Sequence, residues 1–343
     1  MAIADEQHDP KMDALYRDIE AAELFPLWLQ QGVLTRTPRP KAIPYRWDGG
    51  VIRALVERAG ELVAVDRGGD RRVLACVNPG LGGAPWATPT LWAAIQYLKA
   101  GESAPSHRHS PSALRFVIDG DGVSTTVDGD ACSMHPGDLV LTPAWTWHEH
   151  LSTSDRPMVW FDGLDIPLVN ALDAMFFEPH PTGYDGIRGH NLSERFASVG
   201  RLPGGVVPTP SSPLLVYRWG DTDAALARLV EQNPRAASFD FVNPSNGGPV
   251  LPTIGCAMHR VPSATSTIAS RRSASRVFLV YRGSGRSYVD DATLEWQAGD
   301  VLAIPSWTKL HHQADEDADL FECTDAPVLR ALHLYREEVL ESD

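Results

Sequence analysis

The sequence predicts a mainly β protein: two tandem copies of one small jelly-roll barrel (a double-stranded β-helix), with helices at the N-terminus and in the linker. Three observations carry this. From about Val73 the chain breaks into short β-branched and aromatic runs, punctuated by the 28 glycines and 27 prolines of its 343 residues. Ile118-Asp-Gly120-Asp-Gly122 and Asp128-Gly129-Asp130 have the composition of tight hairpin turns. The third observation is an internal repeat. Val77-Asn-Pro79 returns as Val242-Asn-Pro244, Pro89-Thr-Leu91 as Pro252-Thr-Ile254, and Phe116-Val-Ile-Asp-Gly120 as Leu279-Val-Tyr-Arg-Gly283. Gly137-Asp-Leu-Val-Leu-Thr-Pro143-Ala-Trp145 returns as Gly299-Asp-Val-Leu-Ala-Ile-Pro305-Ser-Trp307. The offset drifts only between 165 and 162 residues.

Taken in order, Met12, Leu15, Ile19, Ala22 and Phe25 recur at three- and four-residue spacing, which predicts an amphipathic helix over residues 11–25 closed by Pro26. A second helix is expected through Val51–Arg58. Residues 1–70 form this helical N-terminal segment, 71–176 a first barrel, 177–236 a linker and 237–343 a second barrel. Met158–Asp162 reads as a closing strand. The linker region is expected to hold one helix near Leu168–Phe177, a Pro/Gly/Ser-rich connection to about Pro213, and a second helix near Asp223–Gln232.

Composition narrows the partners. A net charge of −14 argues against nucleic acid and anionic membrane surfaces, both of which need a basic face. No apolar run approaches a membrane span, and the acidic start Met1-Ala-Ile-Ala-Asp5-Glu does not resemble a signal peptide. Cys76, Cys132, Cys256 and Cys323 are far apart and read as small buried residues in a reducing cytoplasm.

Chemistry concentrates in three histidines. His107 and His109, at i and i+2 on a strand, share one face, and His148 follows 39 residues after His109. Twelve histidines in this length give roughly 0.4 H-x-H pairs by chance, so the flanking pattern decides. The pair closes Gly101-Glu-Ser-Ala-Pro-Ser-His107-Arg-His109. The third closes Gly137-Asp-Leu-Val-Leu-Thr-Pro143-Ala-Trp-Thr-Trp-His148. Both stretches resemble the two motifs of cupin barrels. The carboxylate that usually follows H-x-H is missing from Ser110-Pro-Ser-Ala-Leu114, so the triad is all-histidine. Three neutral nitrogens leave coordination positions open, as an oxygen-activating iron requires. The alternative is half-buried histidines bonded only to neighbours. In the second copy the three positions read Ser270, Arg272 and Leu310, with His311 and His312 one and two places late, so that copy is expected to be a packing module.

At this point the chain resembles a family, the bicupin ring-cleaving dioxygenases of gentisate, salicylate and 1-hydroxy-2-naphthoate. The resemblance rests on Asn78-Pro-Gly-Leu81, Trp86-Ala-Thr-Pro-Thr-Leu-Trp92-Ala-Ala-Ile-Gln96, His107-Arg-His-Ser-Pro-Ser-Ala-Leu-Arg115-Phe, Trp145-Thr-Trp-His148-Glu-His150 and Trp160-Phe-Asp162-Gly-Leu-Asp165-Ile-Pro167. It implies one Fe(II) per chain in the N-terminal barrel, a homotetramer, and cleavage between the carboxyl-bearing and hydroxyl-bearing ring carbons with O2. Gentisate is the first substrate. Salicylate, its 5-nitro or 5-chloro forms and 1-hydroxy-2-naphthoate are the alternatives.

The remaining site residues follow. Arg115, six residues after His109, has the ligand pair's parity and suits a substrate carboxylate, with a surface ion pair as the alternative. Arg71 is a second carboxylate candidate by resemblance, with Arg72 beside it. Trp92 and Gln96 resemble pocket-lining residues, and Ala94 shares their parity. His150 has the parity of His148 and fits a hydrogen-bonding or proton-shuttling role. Asp162 orients a ligand or His150, or else faces outward. Glu149 is expected to be solvated or structurally paired, Trp145 and Trp147 to be core aromatics, and His135 to be exposed. A non-catalytic storage bicupin, or a Mn- or Zn-dependent decarboxylase or isomerase, are the competing classes.

Overall fold

The computed structural model describes residues 9–30, 32–64, 72–183, 186–198 and 201–340. It divides into a small unit, Met1–Arg39, and a large one, Pro40–Asp343. In the small unit a helix runs Pro10–Ala21, capped by Asp9, whose carboxylate accepts from Lys11 N at 2.9 Å. It stops short of the expected Phe25. Glu23 turns into the left-handed region (φ 52°), and Leu24 N reaches back to Ile19 O at 3.0 Å, a Schellman ending that precedes Pro26.

Among the described residues the large unit holds four sheets. In the first barrel, one sheet runs in spatial order Val216–Tyr217, Leu139–Thr142, Ala113–Asp119, Met158–Leu164, Trp92–Leu98, Val73–Ala75. Facing it are Phe177–Pro179, Ser103–His109, His148–Ser152, Val123–Val127, Asp130–Met134 and Gly189–His190. The second barrel repeats the arrangement, with Tyr45–Trp47, Val301–Ile304, Arg276–Arg282, Ala318–Thr324, Gly255–Val261 and Ala237–Asp240 in its first sheet. Its facing sheet has five strands: Ala292–Gln297, Ser284–Val289, Leu310–Ala314, Ser270–Arg272 and Glu337–Val339. Asp128 and Gly129 both take positive φ (44° and 80°), the two-residue turn that matches strand twist and joins Val123–Val127 to Asp130–Met134.

The repeat extends further than the motifs indicate, and the copies exchange parts. Tyr45–Trp47, inside the segment read as helical, pairs with Val301–Ile304 of the second barrel. Val216–Tyr217 of the linker pairs with Leu139–Thr142 of the first. A 14-residue helix follows each strand, Gly49–Leu62 and Trp219–Gln232. Gly49 N donates to Asp300 of the second barrel at 2.7 Å, and Trp219 N to Asp138 of the first at 2.9 Å, each carboxylate meeting the electropositive start of a helix. Arg46 and Arg218 pair with the same two aspartates. Thr90 of the first barrel donates to Asp325 of the second, and Thr253 of the second to Asp165 of the first.

Three cores result. One fills the first barrel around Trp160, Val117 and Val140, and one fills the second around Phe278, Leu302 and Leu320. The third joins the two outer faces through Phe116, Phe161 and Phe321, with Phe116 stacked on Phe321 at 4.5 Å. The linker helix is shorter than expected, Ile166–Ala171. Asp173 (φ 52°) ends it, and Phe177–Pro179 leaves as a strand along Ser103–His109. Among the described residues no helix is long and apolar enough to cross a membrane.

Candidate active site

The triad closes because two strands are in register. His107 pairs with His148 across the ladder, and His109 lies two residues along the same strand. One ligand atom from each of the three rings lies within 4.8 Å of the others. Each ring is held by its Nδ1 on a nearby carbonyl: His107 on Pro105 O (2.9 Å), His109 on Pro111 O (2.7 Å), His148 on Thr146 O (3.0 Å). A carbonyl only accepts, so each Nδ1 carries a proton, and in the neutral ring the lone pair sits on Nε2. His148 Nε2 is buried without a hydrogen-bond partner among the described residues. Burial, then the charges of His107, Arg115 and His109, hold the His148 imidazole well below its ordinary pKa, and burial pushes His109 down to about 4. Neutral imidazoles converging through Nε2 are what a metal ion needs, and their donor type suits iron, zinc, copper or nickel.

The facing sheet supplies the charges. Ala94, Asp162, Arg115 and Val140 lie in one cross-strand row, and Val140 belongs to the first barrel's interior core, so this row faces inward. Arg115 reaches that face from the strand Ala113–Asp119, beyond the turn at Ser110-Pro111-Ser112. Parity counted from His109 therefore does not place it; the sheet register does. Its guanidinium bonds Thr142 Oγ1 and lies 3.5 Å from Asp162 through Nε. Burial lowers the Arg115 pKa and raises that of Asp162 to about 6, each opposed by the other's charge. Asp162 also accepts from Trp160 Nε1 at 3.1 Å. It thus meets Arg115 rather than a ligand histidine or His150, and it is buried rather than outward. His150 is buried with Nδ1 2.9 Å from Thr125 Oγ1, and burial, with the charges of Arg115 and His107, depresses its pKa far below normal.

The other expected residues divide. Trp92 and Gln96 share the inward parity of Ala94, and Gln96 pairs with Trp160. Arg71 lies outside the described residues. Arg72 is buried and pairs with Glu102, with a bond to Gly60 O at 3.0 Å, which turns it away from the site. Glu149 is buried, not solvated. Trp145 and Trp147 are not core. Trp145 is 41% exposed, and Arg108 lies over both rings (5.2 and 4.5 Å) while pairing with Glu178. Sequence reading missed Phe177, whose ring lies 5.3 Å from His107, and the hydroxyls of Thr125 and Thr142. A strand assignment for residues 177–179, in place of the helix expected to reach Phe177, would have pointed to the first; the threonines gave no local signal. A cavity of about 1070 Å³ between Phe196, Arg218, Arg228 and Phe241 touches none of the histidines; the convergent Nε2 atoms, not cavity size, mark the chemistry.

In the second barrel the register is the same. Ser270 pairs with Leu310 as His107 does with His148, and Trp307 N bonds Arg272 O as Trp145 N bonds His109 O. His312 is not a displaced ligand. Its Nδ1 meets Ser287 Oγ at 2.7 Å as that of His150 meets Thr125, which makes it the counterpart of His150.

Fold and site together define a bicupin whose one metal-capable centre among the described residues is all-histidine and lies in the first barrel. The Cupin_2 family (Cupin domain) matches residues 94–166. Over 96% of both chains, the sequence is 44% identical to a gentisate 1,2-dioxygenase from Streptomyces sp. It is 36% identical to a 5-aminosalicylate 1,2-dioxygenase from Comamonas sp, over 95% of this chain and 90% of that one. A crystal structure of the salicylate 1,2-dioxygenase from Pseudoaminobacter salicylatoxidans with gentisate superposes with a TM-score of 0.94 at 39% identity, covering 100% of this chain and 98% of that one. The chain belongs to the bicupin ring-cleaving dioxygenases, the family of gentisate and salicylate 1,2-dioxygenases.

Proposed function

We propose that this chain uses one Fe(II), held by His107, His109 and His148, and O2 to open gentisate between its carboxyl- and ortho-hydroxyl-bearing carbons, giving maleylpyruvate. The observation that carries it is the convergence of three carbonyl-anchored imidazoles with a buried arginine whose charge bears on His109, His148 and His150. When bound, the ferrous ion acidifies the chelated ring hydroxyl and couples ring and dioxygen electronically. The chain does the rest. Arg115 takes the substrate carboxylate, offsetting the acidic shell. Asp162 positions the Arg115 fork. His150, with Nδ1 tied to Thr125, presents Nε2 for hydrogen bonding and proton transfer. Trp92, Ala94 and Gln96 form the wall against the ring, and Arg71 is a second carboxylate contact. The second barrel, 237–343, carries no iron.

A second reading is the same cleavage of salicylate, a 5-substituted salicylate or 1-hydroxy-2-naphthoate; the relatives named for salicylates favour it over unrelated chemistry. Oxygen uptake by Fe(II)-loaded protein, measured in parallel with gentisate, salicylate and 5-nitrosalicylate, decides. The highest kcat/KM with gentisate supports the first reading, and no uptake with gentisate rejects it. Stoichiometric iron after gentle purification separates both from a storage bicupin. We further propose a cytoplasmic homotetramer. The exposed apolar run Leu24, Phe25, Leu27, Trp28 and Leu29 supports association, and light scattering measures it.

A further inference from the structure

The second barrel keeps a cavity of about 310 Å³ where the first has its metal centre, within the size range of small-ligand sites. Its lining is rebuilt, not merely degraded. Arg272 stands at the position of His109, Phe278 at that of Arg115, His312 at that of His150, and Glu322 at that of Asp162. Arg276 adds a guanidinium where the first barrel has Ala113. Arg235, Arg272 and Arg276 face Glu322 and Glu337 there, three guanidinium groups against two carboxylates. Two of the arginines are committed elsewhere, Arg272 to Glu337 (2.8 Å) and Arg235 to Ser266 O (3.1 Å).

Arg276 is not. It is 3% exposed, and its Nε and one Nη are buried without a hydrogen-bond partner among the described residues. His312 Nε2 and Glu322 Oε1 are in the same condition. Ser287 Oγ accepts from Trp296 Nε1 (2.9 Å) and keeps its own hydrogen for His312 Nδ1 (2.7 Å) in the tautomer that places the imidazole proton on Nε2. Glu322 Oε2 is bound to His259 Nε2 at 2.7 Å, and Oε1 lies 3.7 Å from Arg272 Nη1 without a hydrogen bond, which leaves it able to accept one. Unpaired buried donors and a buried acceptor are expensive unless something satisfies them. Here they comprise the side-on fork of a guanidinium, one imidazole N–H and one carboxylate oxygen, beside the apolar surfaces of Phe278, Ile268 and Leu310.

We infer that the second barrel binds a small organic acid bearing a hydroxyl group, with arginine charge in place of a metal ion. The carboxylate accepts from Arg276 Nε and Nη and from His312 Nε2–H, and the hydroxyl donates to Glu322 Oε1. The ring or chain lies on Phe278. No covalent step is involved, and this site stands independently of which ring the first barrel cleaves.

The test is calorimetry under argon on the full-length Fe(II)-loaded protein with 3-hydroxybenzoate, whose meta hydroxyl cannot chelate a metal beside the carboxylate. Binding is expected to persist in Arg115→Met and to weaken by about tenfold or more in Arg276→Met, while oxygen uptake with gentisate changes by less than about twofold in Arg276→Met. Ser270→Phe, which fills the cavity from its rim, is expected to give the same loss if Arg276→Met fails to fold. Binding that disappears with Arg115→Met but ignores Arg276→Met and Ser270→Phe overturns the inference, as does the absence of any binding by the wild-type protein up to about 10 mM. Because the readout is binding and not turnover, an enzyme inactive on gentisate leaves the result interpretable.

Discussion

The two barrels of this chain are one scaffold with two interiors. Both hold a buried histidine against a hydroxyl, His150 on Thr125 and His312 on Ser287, and both set a buried acid opposite the strand that follows the ligand turn, Asp162 and Glu322. Both carry an arginine over the rim tryptophan, Arg108 on Trp145 and Arg271 on Trp307. They part where metal chemistry would sit: His107, His109 and His148 against Ser270, Arg272 and Leu310. A barrel that keeps its register and packing without ligands does not need a metal to fold.

The sharpest way to break that comparison is to delete a ligand. His148→Ala, and equally His107→Ala or His109→Ala, is expected to abolish iron retention and lower turnover by about a thousandfold or more, with the melting temperature of the iron-free protein unchanged. Iron analysis, oxygen uptake and calorimetric melting report the three. Full activity in His148→Ala sinks the assignment. Arg115→Met comes next. Removing a buried carboxylate partner should raise KM and lower kcat/KM by about a hundredfold, whereas Arg276→Met in the second barrel should leave both nearly as they are. Steady-state kinetics on the pair tests whether charge serves turnover in one barrel only.

Phe321→Ala attacks what the barrels share. Its ring is wholly buried against Phe116 and Phe161, so the variant should lose about 3–5 kcal/mol in urea unfolding, and both barrels should loosen together. Independent melting of the two halves would contradict a common core. His312 provides a subtler probe. Burial holds it at about 3 when folded, below its ordinary 6.5. The unfolded chain then binds the extra proton between those values, so stability rises with pH across that window and is lost as pH falls through it. The slope is about 1.4 kcal/mol per pH unit for such a group. His312→Phe should flatten the urea midpoint between pH 4 and 6, and an unchanged slope would mean that His312 is not buried neutral. The smallest effects belong to the exchanged hydroxyls. Thr90→Val and Thr253→Val should each destabilise by about 1–3 kcal/mol, and by similar amounts, since each leaves one buried carboxylate oxygen short of a donor. Unequal losses would show that the pseudo-symmetry is geometric but not energetic.

What could be read from the sequence was local. The H-x-H pair, the Asp128-Gly129 turn and the helix near Val51 depend on residues a few positions apart, where strand alternation and turn conformations act directly, and the repeat shows as short motifs of the same kind met twice. The helix proposed to reach Phe177 failed for the opposite reason. The left-handed turn at Asp173 frees the chain, and only pairing with His107–His109 makes residues 177–179 a strand. Trp145 and Trp147 were misplaced because their hydrophobicity is visible in sequence, while Arg108 and Glu178, which hold Trp145 and Trp147 at the rim, lie on other strands.

By itself, then, the sequence determined the barrel class, its duplication and the metal-capable histidine triad of one copy. Only the tertiary structure decided that Asp162 answers Arg115, that His312 is the twin of His150 rather than a stray ligand, and that each barrel receives a strand and a helix start from the segment preceding the other. Those choices depend on which strands become neighbours. Neighbour identity is set by burying two interiors and one shared face at once, a condition that no short window of residues contains.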